Sequence, residues 1–454
     1  MTLNAKLKII FLITLGIFFT LSPIFSSNLI FNARYNKVNS KSSYHFNLDN
    51  ENLKSSAVSE RIHIDNNWTA VKSAGICTGE GTYSEPYIIK DLEIESEGLN
   101  TSILIENSAV YFEIENCSLS HSFHGGIRLL NVNNSRLIYN NCSGNIGGIC
   151  LYNCNNNTIS GNTVHNNGWG GIFLDNSNNN TISGNTANNN DQYGISFNEC
   201  DDNILSGNIL NNSFYGIALD YSDYNNIDYN NISGKIVDYT SRGISLSNSN
   251  NNTLSGNTAD NNRYGINLFV SSDNKLLGLY LDDNYIGISL TISDTNSLSG
   301  NTVTNNQYGI FLSSSNNNTH LKNIVNYNYV GGIILDENSC GNLIYLNCFN
   351  ENSYLNAKDD GLNNHWDNGI KGNYWANYQG SDGDGNGIGD TPYNILGSAG
   401  SQDNFPLMKC PSSTSQDGGG IPIELIILIS IISGGALIGA AALLLIVYKR
   451  KRIQ

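Results

Sequence analysis

Basic residues are scarce in this chain: 23 Lys and Arg stand against 39 Asp and Glu, a net charge of -16 with a pI near 4.7. No basic stripe is available to meet phosphates, which argues against nucleic acid as a partner. Ligands for soft metals are also few. The two Met and seven His are scattered, and His121 and His124 are the only near pair. Soft-metal sites need His, Cys or Met in clusters, so the sequence does not support copper, and that His pair reads as a solvated loop. None of the nine Cys forms a zinc-like double pair. From Arg61 to Phe349 the apolar residues show no helical period. Charged residues are only 14% of the chain, a composition that would suggest disorder if apolar order were missing.

Apolar order is present. NTISGN begins at Asn157 and returns at Asn180, with a looser copy at Asn203, and a Gly-Ile dipeptide marks every unit. Its Ile falls at Ile127, Ile149, Ile172, Ile195, Ile217, Ile244, Ile266, Ile288, Ile310 and Ile333, spaced by 22 or 23 residues except for one 27-residue step. So short a fixed period marks a solenoid. Within a unit, Ile172 and Leu174 alternate around Phe173, Ile182 heads a second short strand and Ala187 a third. The second column runs Leu137, Ile159, Ile182, Leu205, Ile227, Leu254, Leu276, Leu298, His320, Ile344. The third runs Cys142, Val164, Ala187, Leu210, Ile232, Ala259, Leu281, Val303, Val325, Phe349.

Three apolar columns in register imply three sheets around one narrow core. A coil of this length at about 3.3 Å per residue suits one turn of a three-sided parallel coil, and about ten coils at roughly 4.8 Å make a rod near 50 Å. The fold class expected is therefore all-β: a right-handed three-sided parallel β-helix, since parallel crossovers are almost always right-handed. Asn140, Asn162, Asn185, Asn208, Asn230, Asn257, Asn301, Asn323 and Asn347 recur at the turn before the third strand. They are expected to take the left-handed turn conformation and to bond the same amide on the next coil. Leu279 breaks that column.

The ends suggest export. Lys6 and Lys8 precede an apolar run from Ile9 to Phe19 and then small residues, as in a secretory signal peptide (1–27). Residues 28–60 read as a linker, 61–356 as the β-helix, 357–408 as its cap and 409–422 as a second linker. The span assigned to a transmembrane helix, 423–448, holds 24 consecutive uncharged residues from Leu425 to Tyr448, about 36 Å as a helix. The basic tail 449–454 then places the C-terminus in the cytoplasm, making a single-pass cell-membrane protein with its β-helix outside. In an exported chain disulfides are permitted. Cys117 and Cys142 lie near each other one coil apart, Cys154 and Cys200 occupy similar turns two coils apart, and burial as small apolar residues is an equal reading.

The segment after Phe349 carries a specific resemblance. Asn373, Tyr374 and Trp375, then Asp382 to Gly385, Ile388 to Tyr393 and Phe405 to Leu407 are similar to the closing series of the NosD-like family of secreted right-handed parallel β-helices. The stretch from Gly81 to Leu92 resembles that family's opening, and the likeness covers about residues 61–408. It implies a β-helix repeat protein of that family, and with the expected membrane helix a membrane-anchored surface member. The family's name-giving member is tied to periplasmic copper-site maturation, and this chain's donors do not carry that role over.

Two candidate sites remain. Asp382, Asp384 and Asn386 followed by Gly387 match the first half of a calcium loop, and Asp390 offers a further ligand. The Glu that closes an EF-hand is replaced by Tyr393, and a Gly-Asp turn without metal is the alternative. Tyr193, Tyr215, Tyr264 and Tyr308 all precede the Gly-Ile dipeptide, with Arg242 in the same column. Flat rings spaced along a rigid sheet suit stacking on sugars, and inward packing or a plain Tyr ladder is the alternative. Asp175, Asp220 and Asp336 follow the Gly-Ile strand. Asp175 and Asp220 lie two coils apart, about 9.6 Å, at the upper edge of an inverting glycosidase's spacing. No acid pair on neighbouring coils has a Lys or Arg beside it, so catalysis is not expected. The turn sequons at Asn156, Asn179 and Asn251 suit a glycosylatable exterior. The reading is a non-catalytic surface module for carbohydrate, envelope polymer or another surface protein. A lyase or hydrolase on this fold is the alternative, and metal handling a third.

Overall fold

In the computed structural model, residues 57–58, 61–98, 100–234 and 241–411 are described. The expected signal peptide, the expected membrane helix with its basic tail, most of both linkers and residues 235–240 of the long coil lie outside them. Among the described residues no helix is long and apolar enough to cross a membrane.

Short strands stack in parallel into three faces over about twelve turns. The first face holds thirteen strands from Ile62–Asp65 to Ala357–Asp359, and the second holds twelve from Tyr87–Lys90 to Leu343–Tyr345. The third is a sheet of three strands and a sheet of eight, joined by single bridges through Asn141, Thr163 and Thr186. The second apolar column pairs residue for residue from Leu137 through His320 to Ile344. The third does so from Leu210 to Phe349. These columns and the Ile and Leu of the first face fill one continuous core.

Each Gly-Ile dipeptide marks a bulge in the side-chain alternation, shared by both neighbouring strands with no extra residue in either. The strand register pairs Tyr193 with Tyr215 and Ile195 with Ile217 but skips the Gly between. A Cβ on Gly194 would stand 2.6 Å from the Gly216 carbonyl oxygen and 2.8 Å from Leu210 in the core. Only Gly lets neighbouring coils approach this closely, and the bulge leaves the preceding Tyr facing outward while Ile195 faces in.

The turn Asn residues behave differently from the expectation in one respect. Their amides do bond from coil to coil: Asn162 donates its backbone N–H and Nδ2 to Asn185 Oδ1 at 2.9 and 3.0 Å, and Asn185 repeats this to Asn208. The left-handed residue, however, is the one before: Tyr139, Gly161, Gly184, Gly207 and Tyr229 have φ between 52° and 66°. The left-handed residue turns the chain, which frees the next side chain to point inward. Two further ladders were not anticipated, through Asn157, Asn180, Asn203 and Asn225 and through Asn262, Asn284, Asn306 and Asn328. At the first of these corners the left-handed residues are the exposed Asn156, Asn179 and Asn251. Leu279 interrupts the original ladder as expected: it donates its N–H to Asn301 Oδ1 but offers no amide to Asn257.

Neither end is a plain coil. Ala57–Val58, inside the expected linker, already pairs with Leu92–Glu93. The alternating stretch from Ile88 to Ile94 spans two strands, Tyr87–Lys90 and Leu92–Glu95, lying on different faces because Asp91 turns the chain at φ 58°. A one-turn helix, α1 (Trp68–Ser73), lies near the open N-terminal coil, with Trp68 stacked on Tyr87 and bonded through Nε1 to Ser108 Oγ at 2.8 Å. At the other end Trp375 is stacked between Phe349 and Tyr393, at 4.6 and 4.3 Å, and a small antiparallel pair, Tyr393–Asn394 with Gln402–Asp403, follows. Cys348 is disulfide-bonded to Cys410, tying the end of the cap to the last full coil. The other seven Cys are free, and Cys117, Cys142, Cys154 and Cys200 are buried. Cys154 and Cys200 alternate with Ser177 and Ser222 in one inward column, accepting the same coil-to-coil backbone N–H bonds as the hydroxyls.

Candidate functional site

Three outward columns run along the first face. The register aligns Tyr193, Tyr215, Arg242, Tyr264, Ile286 and Tyr308 in the first, just before the bulge. The second aligns Phe173, Ser196, Ala218, Ser245, Asn267, Ser289 and Phe311, and the third Asp175, Asn198, Asp220, Ser247, Phe269 and Thr291. The middle column is small for five consecutive coils and closes at either end with a Phe. The result is a trough along the coil axis with the Tyr column, interrupted by Arg242 and Ile286, on one side and a mostly polar column, interrupted by Phe269, on the other.

The Tyr column is thus one structural feature, with one gap. Tyr193 and Tyr215 stack at 5.2 Å with their planes 18° apart, and Arg242 lies over Tyr215 at 5.1 Å and over Tyr264 at 5.9 Å. All four Tyr are half-buried. Tyr308 stands two coils beyond Tyr264, separated by the buried Ile286, and packs edge-on against Tyr285 at 5.6 Å and Phe311 at 6.5 Å. At the opposite end Trp169 meets Phe173 at 4.6 Å and Tyr193 at 5.8 Å. From sequence alone the two Phe and Trp169 had no place in a site, although Phe173 and Phe311 each follow a Gly-Ile directly.

Asp175 and Asp220 border the same trough with Asn198 between them, as the spacing implied. Asn198 donates Nδ2 to Asp175 Oδ1 at 2.6 Å. Burial raises the Asp220 carboxyl, against the lowering effect of hydrogen bonds from Ser247 and Asn248. Burial likewise raises the Tyr193 phenol. Asp336 belongs elsewhere: its carboxylate accepts from Ser314 N–H, Ser313 Oγ and Ser339 Oγ and fastens a turn.

The cap loop gathers the other candidates. Asp382 accepts the N–H groups of Asn386 at 3.1 Å and Gly387 at 2.9 Å, and these bonds, Gly387 foremost, lower its carboxyl. Asp384 accepts Asn386 N–H and Nδ2, Asn386 Oδ1 accepts Ile388 N–H, and Asp390 accepts Gly383 N–H. These oxygens already serve the loop's own donors.

A family model described as "Periplasmic copper-binding protein (NosD)" matches residues 85–239 and 232–380. The chain belongs to the NosD family. No curated protein matches this NosD chain in sequence. Among solved structures it is similar to the Dettilon tailspike protein, at 15% identity over 60% of this chain and 61% of that one, with a TM-score of 0.45. It is also similar to the Azotobacter vinelandii mannuronan C-5 epimerase AlgE6 A-module, at 14% identity over 69% and 95%, with a TM-score of 0.42. The periplasmic alginate epimerase AlgG shares 17% identity over 62% and 84%, with a TM-score of 0.38. At these identities the likeness is one of coil architecture, and the tailspike is matched over less than two thirds of its length.

Among the described residues, the copper named in the family description finds no fitting donor set. His63 is paired with Glu106 at 2.7 Å and His121 with Glu95 at 3.3 Å, His165 Nδ1 accepts the Asn188 amide, and His320 is sealed in the core. Among the described residues no three His, Cys, Asp or Glu side chains come together as a metal site.

Proposed function

We propose that this NosD chain is a non-catalytic surface module whose first face binds carbohydrate. The observation that carries the reading is the trough itself: small residues on five successive coils, beside a column in which Tyr193 stacks on Tyr215 and Arg242 bridges Tyr215 to Tyr264. Half-buried rings on a rigid sheet lose little conformational freedom on binding and present an apolar plane with a polar tip. The apolar run from Leu425 to Tyr448 with its basic tail supports a single-pass tether that holds the face outside the cell. The test is binding of the purified full chain to a glycan array and to envelope polymer fractions, beside Tyr193→Ala, Tyr215→Ala and Tyr264→Ala variants of unchanged circular dichroism. Each single variant is expected to weaken binding at least tenfold, in the range of a lost aromatic anchor. Binding that ignores all three removes the support for this face.

A second reading draws on Asp220, which borders the trough and whose carboxyl burial raises, the direction a general acid requires. Release of reducing ends or unsaturated sugars from a polysaccharide, abolished by Asp220→Asn, would establish an enzyme in place of a binding module.

A further inference from the structure

The trough has a length, a direction and a charge, and together they narrow its occupant. Its floor is Ser196, Ala218, Ser245, Asn267 and Ser289, and Phe173 and Phe311 close it six coils apart. At about 4.8 Å per coil the distance between these rings is roughly 29 Å. One coil step is close to the repeat of an extended pyranose chain, so a polymer lying along the axis advances about one sugar per coil. It passes Tyr193, Tyr215 and Tyr264 on one side and Asn198, Asp220, Ser247 and Thr291 on the other, with Arg242, Ile286 and Phe269 interrupting the pattern. The floor Ser196, Ser245 and Ser289 are largely buried between the columns.

Charge decides the class of sugar. Between Gly170 and Ile310 the described residues carry 13 carboxylates, against three cations, Arg242, Arg263 and Lys275. Two of those cations are already engaged. Arg242 lies over Tyr215 and Tyr264 and donates Nη1 to the Tyr215 hydroxyl, and Arg263 lies over Tyr264 at 5.4 Å. Lys275 begins a strand of the second face, away from the trough. A polyuronate or sulfated chain would bring its charges against Asp175 and Asp220 and into the field of an acidic rod. An uncharged chain instead offers hydroxyl protons that those carboxylates accept.

Resting on the carbohydrate-binding reading, we infer that the occupant is an uncharged polysaccharide, laid along the coil axis between Phe173 and Phe311 at about one sugar per coil. The test is calorimetric titration of the full chain with size-graded cello-, manno- and chito-oligosaccharides and, in parallel, with oligogalacturonates and oligomannuronates. Affinity for at least one neutral series should rise with length and level off at five or six sugars. The uronate series should bind at least tenfold more weakly at low salt, with the gap narrowing as salt screens the acidic face. A variant Ala218→Phe, placing in the floor the ring that Phe173 and Phe311 carry at the same register, should abolish binding and leave the fold intact. Tighter binding of uronates that Ala218→Phe still abolishes overturns the uncharged class but spares carbohydrate binding on this face. A plateau at one or two sugars, or binding indifferent to Ala218→Phe, overturns the axial placement. No binding by any series, neutral or charged, takes down the underlying reading as well.

Discussion

Arg242 lies between Tyr215 and Tyr264, its guanidinium 5.1 Å from one ring and 5.9 Å from the other, and donates Nη1 to the Tyr215 hydroxyl at 2.5 Å. It fills the place a Tyr holds on the coils to either side, so the column stays continuous across the coil after the insertion. Each cation–π contact at a half-buried site contributes about 0.5–1 kcal/mol. Arg242→Ala should therefore lower the stability of the full chain by about 1–2 kcal/mol, whereas Arg242→Tyr should hold close to the parent in thermal melting. An equal loss in both variants would show that the guanidinium is needed for a reason other than continuity of the column.

The gap at Leu279 makes the Asn ladder testable by repair. Leu279→Asn would place an Oδ1 where Asn257 donates and an Nδ2 beside Asn301, restoring the sequence of bonds seen from Asn162 to Asn185 and Asn208. A net gain of about 1 kcal/mol is expected, as for an added buried hydrogen bond. The reverse change, Asn185→Leu, should cost more, about 1–3 kcal/mol, because the Asn162 N–H and Nδ2 lose their acceptor inside the protein. Chemical denaturation of the three proteins decides it, and a Leu279→Asn protein less stable than the parent would mean that core packing outweighs the ladder.

His320 occupies an apolar column between Leu298 and Ile344, fully buried, with neither ring nitrogen hydrogen-bonded. Burial pushes its pKa down to about 3. Unfolding releases it to about 6.5, so the unfolded chain binds the extra proton and stability falls as pH drops from about 6.5 toward 3. The slope is about 1.4 kcal/mol per pH unit, or about 2 kcal/mol lost by pH 5. Asp403, pushed up to about 6 by burial despite donors from Asn373, Trp375 and Phe405, works in the opposite sense. Its contribution is complete below about 4 and declines as pH rises to about 6. The readout is therefore the difference between the parent and His320→Leu, which should be more stable at both pH 7 and pH 5, with the larger gain at pH 5. A gain that did not change with pH would refute the titration of His320.

The cap loop separates a calcium site from a self-bonded turn. Asp382 and Asp384 already accept the Asn386 and Gly387 N–H groups, which hold the loop closed with no ion. The full chain is expected to melt at the same temperature in calcium as in chelator, and Asp382→Ala is expected to melt lower in both. A calcium-dependent rise that Asp382→Ala abolishes would establish the ion instead.

Sequence alone determined the coil. A 22- or 23-residue period, Gly-Ile in each first-face strand and three apolar columns specify it because every unit repeats one local solution, and stacking only copies it. The Tyr column was legible for the same reason: its members share an offset from Gly-Ile. What the tertiary structure decided depends on comparing residues across coils or at the ends where repetition stops. The trough exists because Phe173 and Phe311, 138 residues apart, fall in the same register column with five small residues between them. Which turn residue is left-handed rests on backbone angles that Asn and Tyr can both adopt, so the repeating Asn pointed to the right turn and the wrong residue. The C-terminal cap could be placed from sequence, but the contacts that close either end could not. Asp359 and Asp403 receive the indole protons of Trp366 and Trp375, and Cys348 meets Cys410, because an end unit must cover an open core with contacts that no neighbouring coil repeats.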